Sequence, residues 1–227
     1  KPLTGVRVLD AATFIAAPYT ASILAEFGAE VIKVERPDVG DPMRRFGTPS
    51  GRPDSTLLWL SEGRNKKSVT IDLGKPDGAD LFRRLAAVSD VVCENFRPGT
   101  MEKWGLGWEE LSAANSGLVM LRVSGYGQTG PYKDRPGFGT IAECMSGYIS
   151  MTGFPDTPPN LPPIPLADEI AGVFGAMAGM MALYHRDASG NTDAKGQVVD
   201  VSLFEPLFRL CIPHITMFDL LGINRER

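Results

Sequence analysis

The sequence predicts an α/β domain with a Rossmann-like, doubly wound and mainly parallel sheet that carries helices on both faces. Short runs rich in β-branched residues, such as VRVLD (6–10) and EVIKVE (30–35), alternate with segments of helical periodicity. Right-handed crossovers between such strands place helices on both sides of the sheet. The chain has 227 residues, of which 43% are hydrophobic and 22% charged, and this composition suits one main globular domain.

The strands are predicted from short apolar runs, at residues 6–10, 30–35, 68–73, 90–95, 118–124 and 197–203. The helices are predicted from apolar spacing and from start and stop signals, such as Gly28 after the first helix and the proline and acidic start of PDGADLFRRLAAVS. Helices are expected at about 18–27, 76–89, 108–115, 138–150, 168–186 and 204–221. Two long segments without periodicity, 36–66 and 153–167, are expected to shape a site.

Composition excludes some classes of partner. A net charge of −4 argues against a nucleic-acid partner, because neutralising phosphates requires a basic face. The apolar run 171–184 is shorter than the roughly 20 residues that cross a bilayer, so we expect a buried helix and no membrane partner. The chain starts in a strand pattern without a leader, and Cys93, Cys144 and Cys211 are expected to be reduced, buried thiols. These features predict a cytoplasmic protein.

The turn after the first strand is the first candidate for ligand binding, because doubly wound folds bind ligands beyond the carboxyl ends of the strands. This turn, DAATFIAAP, contains no G-x-G-x-x-G, so nicotinamide binding is not expected although Glu35 resembles a ribose-binding acid. Arg36 follows directly and could hold a phosphate. Other basic residues near the strand ends, each of which alone could be a solvated surface group, are Arg44, Arg45, Arg64, Lys66 and Lys67. Together they favour a phosphorylated ligand.

The segment PLADEIAG (165–172) places Asp168 at the predicted start of a helix. One interpretation is a helix cap, since Asp is a preferred N-cap residue. The other is a nucleophile at the mouth of a site, where the amino end of a helix stabilises a carboxylate by about 0.3–1 kcal/mol. The adjacent Glu169 should point elsewhere on the helix and is expected to be structural. The residue pattern alone leaves both interpretations of Asp168 open.

Eight segments in a characteristic order cover nearly the whole chain: PLTGVRVLD, LAEFGAEVIKVERP, NKKSVTIDL, DVVCENFRPG, VSGYGQTGPY, MSGYISMTG, PLADEIAG and GQVVDVSLFE. Together they resemble the class III CoA-transferases, the family of formyl-CoA transferase and carnitine CoA-transferase. The resemblance implies that Asp168 is the nucleophile and that no metal is used. It implies an acyl-aspartyl anhydride, then an aspartyl-CoA thioester, and finally transfer of CoA to an acceptor carboxylic acid.

The resemblance also implies the residues that contact CoA: Ile15, Ala16, Arg36, Ile71, Asn95, Phe96, Lys103 and Trp104. Arg36 and Lys103 carry charges suited to the ADP phosphates, and Phe96 and Ile71 suit the adenine and pantetheine. The sequence departs from formyl-CoA transferase where Gly74 and Pro136 replace CoA-contacting lysines. Ile15 replaces a glutamine there, so the acyl pocket of that enzyme is not expected here.

Family members are considerably longer than this chain. The resemblance implies that residues 1–203 form the N-terminal part of the CoA-binding large domain, and that residues 204–227 form a helix and linker toward a missing small domain. The implied partners are an acyl-CoA, a carboxylic acid acceptor, and either an interlocked homodimer or a second chain that supplies the C-terminal half.

Two other functions share features of this sequence. An α-methylacyl-CoA racemase shares the fold, but it carries a histidine where RPGFG places Phe138, and His185 and His214 lie elsewhere in the sequence. A non-catalytic CoA-binding fragment or subunit would bind CoA without modification of Asp168. The acids exchanged are not readable from the sequence. A dicarboxylate could face Arg44, Arg45 and Arg52, which gives succinyl-CoA as a hypothetical donor.

Overall fold

A computed structural model describes residues 1–188, 195–225 and 227. Its centre is a six-stranded sheet of β1 (Arg7–Asp10), β2 (Glu30–Glu35), β3 (Lys66–Thr70), β4 (Val91–Glu94), β5 (Val119–Ser124) and β6 (Val198–Ser202). The strands lie in the order β3-β2-β1-β4-β5-β6, and every neighbouring pair is parallel. This is the order of a doubly wound Rossmann sheet, so the predicted fold class is confirmed.

The helices are α1 (Ala16–Glu26), α2 (Leu57–Glu62), α3 (Pro76–Ala86), α4 (Thr100–Lys103), α5 (Trp108–Ala114), α6 (Gly139–Met145), α7 (Leu166–Ala188), α8 (Phe204–Leu210) and α9 (Ile212–Leu221). Buried residues of α1 and α7 form one core cluster with the central strands. Buried residues of α3, α4 and α5 form another core cluster with those strands. Helices α1 and α7 thus bury residues against one face of the sheet, and α3, α4 and α5 against the other, whereas α2 buries no residue.

Helices α1 and α7 pack closely because small residues line their contact. A Cβ atom added at Gly172 would lie 2.8 Å from the backbone oxygen of Ala16. The Thr20 hydroxyl donates a hydrogen bond of 2.9 Å to the backbone oxygen of Gly172. Farther along α7, Gly179 lies against the side chain of Leu121 on β5. The contact at Gly172 ties the second turn of α7 to the start of α1, where the predicted ligand site lies.

Helix α7 is also long and apolar enough, by length and composition alone, to cross a membrane. In the structure, 44% of its most apolar window is buried inside the protein. Its buried residues lie against α1, β5 and β6, while Met177, Met181 and Tyr184 are exposed. A half-buried apolar helix of this kind is typical of a core helix, which passes the same length test.

Several predicted boundaries were wrong. Strand β3 begins at Lys66, not at residue 68, and Ile71 follows it. Segment 36–66 is not wholly irregular, because it contains a 3₁₀ turn (Pro42–Arg45) and α2. The helix expected at 138–150 ends at Met145, where Gly147 adopts a left-handed φ of +83°.

The helix expected at 204–221 is two helices that meet at Cys211. Pro213 lies in the first turn of α9, and its missing N–H prevents one continuous helix. Helix α8 buries Pro206 and Leu207, whereas α9 buries no residue. Cys144 is exposed, contrary to prediction, while Cys93 and Cys211 are buried. The domain boundary at 203/204 stays a prediction.

Candidate active site

The candidate nucleophile lies at the carboxyl edge of the sheet. Helix α7 connects the parallel strands β5 and β6, so it runs back against their direction and begins at their carboxyl ends. Asp168 is in the first turn of α7. Ile15, Ala16, Arg36, Asn95 and Phe96 lie just beyond the ends of β1, β2 and β4, and thus at the same edge. The fold therefore places the predicted nucleophile and much of the predicted CoA site on one side of the sheet.

Asp168 is not the N-cap residue of α7. The helix begins at Leu166, whereas an N-cap at Asp168 would require it to begin at Glu169, three residues later. The carboxylate of Glu143, which projects from α6, accepts a hydrogen bond of 3.2 Å from the backbone N–H of Ala167. Glu143 therefore satisfies an amide at the amino end of α7, and the carboxylate of Asp168 is left for another role.

The environment of Asp168 makes its carboxylate unusually basic. Burial, followed by the negative charges of Glu143 and Glu169, raises its pKa from the ordinary value of 3.8 to about 6. A Cβ atom added at Gly139 would overlap the Oδ2 atom of Asp168, so the absence of a side chain there makes room for the carboxylate. Asp168 is thus ionised at neutral pH, partly shielded from water, and more nucleophilic than a free aspartate.

Asn95 fixes the loop between β1 and α1. Its side-chain oxygen accepts a hydrogen bond of 2.8 Å from the Thr13 N–H, and its amide donates one of 2.6 Å to the Thr13 oxygen. The next residue, Phe14, has a φ of +61°, which is rare for a residue with a side chain. Its ring meets that of Phe46 edge to face, with centroids 6.2 Å apart. Asn95, predicted to contact CoA, therefore also shapes the loop that carries Ile15 and Ala16.

Beneath this loop lies a buried cluster of charges. The ammonium of Lys33, which is 1% exposed, lies 2.9 Å from Oδ2 of Asp41 and 3.5 Å from Oδ1 of Asp10. It also donates a hydrogen bond to the backbone oxygen of Ala12. Lys66 completes the cluster with a contact of 2.8 Å to Oδ2 of Asp10. These ion pairs join β1, β2 and β3 to the two loops above them.

Most of the predicted basic group is committed to ion pairs. The Arg44 guanidinium makes two hydrogen bonds of 2.6 Å to the carboxylate of Glu35 and stacks on Trp59 at 4.1 Å. Burial alone would raise the pKa of Glu35, but the hydrogen bonds from Arg44 and Ser68 lower it to about 2. The other pairs are Arg45 with Asp54, Arg64 with Glu26, Lys66 with Asp10, and Lys67 with Glu30. These cations are therefore partly neutralised by neighbouring acids, and their role as one phosphate-binding group stays a prediction.

Arg36 differs from the rest of that group. It is exposed just beyond the end of β2, and among the described ion pairs none involves its guanidinium. Lys103, at the end of α4, is exposed in the same way. These two cations are thus placed to meet an anionic ligand at this edge, as the resemblance implies.

The apolar part of the predicted CoA site comes together. The rings of Phe96 and Trp104 meet edge to face with centroids 5.0 Å apart. Both pack against the core cluster that contains Ile71, which is 6% exposed. Gly74 lies beside Trp104, since a Cβ atom there would be 3.5 Å from the indole nitrogen. The direct contacts of these residues with CoA stay predictions.

Two residues of the site were missed by the sequence reasoning. Glu143 is buried in an apolar helix, GTIAECM, and a lone acid in such a segment was the available signal. Gly139 follows Phe138 at the start of the same helix, and no local signal shows that it contacts Asp168. His185, by contrast, lies 17 residues after Asp168 on α7, or about 25 Å away along the helix.

Comparison with known proteins agrees with this geometry. The chain is 55% identical over its full length to a succinyl-CoA–L-malate CoA-transferase alpha subunit of Chloroflexus aurantiacus, and covers 52% of it. It is 38% identical over 222 residues to the succinyl-CoA:glutarate CoA-transferase of Mus musculus. That match spans 98% of this chain and 50% of the mouse protein. The chain thus spans about half the length of these curated relatives.

A solved structure gives the same result. The crystal structure of a CAIB/BAIF family protein from Brucella suis matches this chain with a TM-score of 0.94 and 34% identity. The match covers all of this chain and 60% of the Brucella chain. The family model of CoA-transferase family III matches residues 3–227. The half-buried aspartate at the carboxyl edge of the sheet and these matches lead to one conclusion: this chain belongs to CoA-transferase family III.

Proposed function

We propose that this chain supplies the CoA-binding region and the nucleophile of an acyl-CoA:carboxylate CoA-transferase. The observation that carries the proposal is the carboxylate of Asp168, held against Gly139 at the carboxyl edge of the sheet, with its pKa raised to about 6 by burial and by neighbouring acids. At neutral pH this group is an anion with the basicity of an activated nucleophile.

The reaction would proceed through covalent intermediates on Asp168. Its carboxylate oxygen attacks the thioester carbon, the C–S bond breaks, and CoA leaves as a thiolate while a mixed anhydride forms. The thiolate then attacks the Asp168 carbonyl, which releases the donor acid and leaves an aspartyl-CoA thioester. The acceptor carboxylate attacks that thioester, the C–S bond breaks, and a second mixed anhydride and the CoA thiolate form. The thiolate then attacks the acceptor carbonyl, which gives the new acyl-CoA and frees the carboxylate of Asp168. Each step exchanges one anion for another, so no proton has to be added or removed.

The substrates are proposed from the relatives, whose names specify succinyl-CoA with L-malate or glutarate. Succinyl-CoA is therefore the proposed donor, and a dicarboxylic acid is the proposed acceptor. Of the three arginines considered for a dicarboxylate, Arg44 is held by Glu35 and Arg45 by Asp54. Arg52 is exposed and has no ion pair among the described residues, which makes it the best candidate for the distal carboxylate.

The active enzyme is proposed to contain further polypeptide. One set of relatives is named as alpha and beta subunits of a succinyl-CoA–L-malate CoA-transferase, so a second chain or a second copy is the expected partner. Racemase chemistry is not favoured, because Phe138, the residue before α6, has a hydrocarbon ring that cannot transfer a proton.

The proposal is tested by the intact mass of the protein after incubation with succinyl-CoA. We expect a covalent CoA adduct that hydroxylamine removes, because hydroxylamine cleaves thioesters and anhydrides. A protein that binds CoA but never acquires mass, across succinyl-CoA and other acyl-CoA donors, would favour a non-catalytic CoA-binding subunit instead.

Replacing Gly139 with alanine should slow adduct formation strongly. The new methyl group would overlap Oδ2 of Asp168, so the carboxylate would have to rotate away from its position. A misplacement of about 1 Å can reduce a rate by about 100-fold. Adduct formation is followed by mass in Gly139→Ala and in Gly117→Ala, a control where a Cβ atom makes only ordinary contacts of 3.5 Å. Equal rates in the two variants would contradict the proposed position of the nucleophile.

A further inference from the structure

Glu143 is an unusual acid because it is buried without a cationic partner. The side chain is on α6 and the residue is 3% exposed. Among residues 1–188, 195–225 and 227, no lysine or arginine forms an ion pair with it. Buried acids are normally paired, since an isolated buried charge costs several kcal/mol. Because burial of the Glu143 carboxylate costs free energy, we looked to its neighbours for a role beyond packing.

One hydrogen bond fixes where the charge of Glu143 lies. Its Oε1 atom accepts from the N–H of Ala167, the residue directly before Asp168. The amino end of α7 thus compensates Glu143 with an amide donor and with its dipole. As a result, the field that would normally lower the pKa of an acid in the first turn is offset by a negative charge beside it.

We propose that Glu143 is a positioning residue that favours the acylated form of Asp168 over its free carboxylate. This inference rests on the proposed function, in which Asp168 becomes a neutral anhydride or thioester. Free Asp168 is an anion next to the anion of Glu143, and this repulsion ends when the carboxylate is acylated. Acylation and protonation therefore relieve the same repulsion, because each removes the charge of Asp168.

Two negative charges act on Asp168, one from a neighbouring helix and one from its own helix. Glu143 faces it from α6 and Glu169 from its own helix, and both raise its pKa in addition to burial. Glu169 has a smaller effect on Asp168 than Glu143 has. The pKa of Glu169 is itself raised by burial and by Glu62, which lies on α2. No cation among the described residues acts on Asp168 to oppose them. Removing the charge of Glu143 should thus make Asp168 a weaker base.

The test compares Glu143→Gln with Glu143→Ala in the complete protein. Glutamine keeps an acceptor for the N–H of Ala167 and removes the charge, whereas alanine removes both. Glu169→Gln is the matched control, because it removes a charge next to Asp168 and keeps the hydrogen bond between Glu143 and the N–H of Ala167. Thermal melting reports whether each variant folds.

Two quantities are measured in each protein. The first is the titration of the Asp168 carboxyl carbon by ¹³C NMR, with the signal assigned by its loss in Asp168→Asn. The second is the ratio of CoA adduct to free protein, measured by intact mass at fixed concentrations of succinyl-CoA and succinate at pH 7.5. The titration requires no activity, so it is independent of the proposed function.

We expect Glu143→Gln to lower the midpoint of the Asp168 titration from about 6 toward 3.8. We expect the adduct ratio to fall about tenfold for each unit that the midpoint falls, because the same free energy governs both. Glu143→Ala should show the same two changes with a lower melting temperature, since it also loses the hydrogen bond. Glu169→Gln should change both quantities less.

An unshifted midpoint in a folded Glu143→Gln protein that still forms the adduct would overturn this inference alone. A shifted midpoint with an unchanged adduct ratio would also overturn it. A wild-type protein that titrates as expected but forms no adduct with any donor would overturn the proposed function, and with it the covalent part of the inference.

Discussion

Asp168→Asn is expected to form no covalent CoA adduct and to lose CoA transfer by on the order of 1,000-fold or more. The amide nitrogen and oxygen of asparagine occupy nearly the same space as the carboxylate, so the contact with Gly139 is preserved. What is lost is the anionic oxygen that is proposed to attack the thioester. Intact mass after incubation with succinyl-CoA, alongside the wild-type protein, measures this effect. A hydroxylamine-sensitive adduct on Asp168→Asn would identify another residue as the nucleophile.

The same variant should be more stable than the wild-type protein above pH 6. The folded-state pKa of Asp168, about 6, is above the ordinary value of 3.8, so the folded state binds the proton more tightly than the unfolded state. The stability from this group is fully present below 3.8 and is lost as the pH rises through 6. The full loss is at most about 3 kcal/mol.

Asparagine carries no charge, so Asp168→Asn avoids this cost. Its melting temperature should exceed that of the wild-type protein at pH 8, and the difference should shrink as the pH is lowered toward 4. A difference that stays constant from pH 4 to 8 would contradict the raised pKa of Asp168. A more stable but inactive variant would show that the buried carboxylate is kept for chemistry at a cost to stability.

Lys33→Met is expected to destabilise the fold by about 3 to 5 kcal/mol, because it leaves the buried carboxylates of Asp10 and Asp41 without their shared cation. For a chain of this size the melting temperature should fall by on the order of 10 °C. Methionine retains the apolar length of the lysine, so the lost charge is the main change. Thermal unfolding at pH 7.5 measures the effect.

The effect of Lys33→Met should depend on pH. Burial by itself would raise the pKa of Asp10, but the charges of Lys33 and Lys66 hold it below its ordinary value. A lowered pKa contributes stability above the unfolded value, and this contribution is lost as the pH falls. The deficit of the variant should therefore be largest near neutral pH and smaller at pH 4.

Lys67→Met is the matched control for Lys33→Met. Lys67 is the second residue of β3, and its side chain is 74% exposed in a surface pair with Glu30. Exposed pairs of this kind contribute little, so its melting temperature should change little. Equal losses in the two variants would mean that the buried cluster has no special role.

The sheet could be predicted from the sequence because its central strands are buried on both sides. The run EVIKVE contains three β-branched residues, Val31, Ile32 and Val34, and the structure confirms that strand with the same bounds. Strand β3 was misplaced because it lies at the edge of the sheet and carries polar side chains. Lys66 and Ser68 point from β3 to the buried carboxylates of Asp10 and Glu35. Their polar character hid the strand from a search for apolar runs.

The site could be predicted only in part. Asp168 was identified from a short motif and a resemblance, and the first turn of α7 is a local feature of the sequence. Glu143 and Gly139 meet Asp168 through folding of the chain across 25 to 29 positions, and no spacing rule predicts that contact. The ion pairs of the basic group were missed for a related reason. A count of arginines and lysines cannot show which of them already face a buried acid such as Glu35.

The pairing of Arg44 with Glu35 limits how this fold could be redesigned. In dinucleotide enzymes an acid at this position, at the end of the second strand, binds the ribose hydroxyls. Here both oxygens of Glu35 receive a guanidinium, and Arg44 is held in turn by Trp59. Grafting a glycine-rich turn after β1 would therefore not create a nicotinamide site. Glu35 would first have to be released from Arg44, and the loop after β2 would then lose the ion pair that fixes it to the end of that strand.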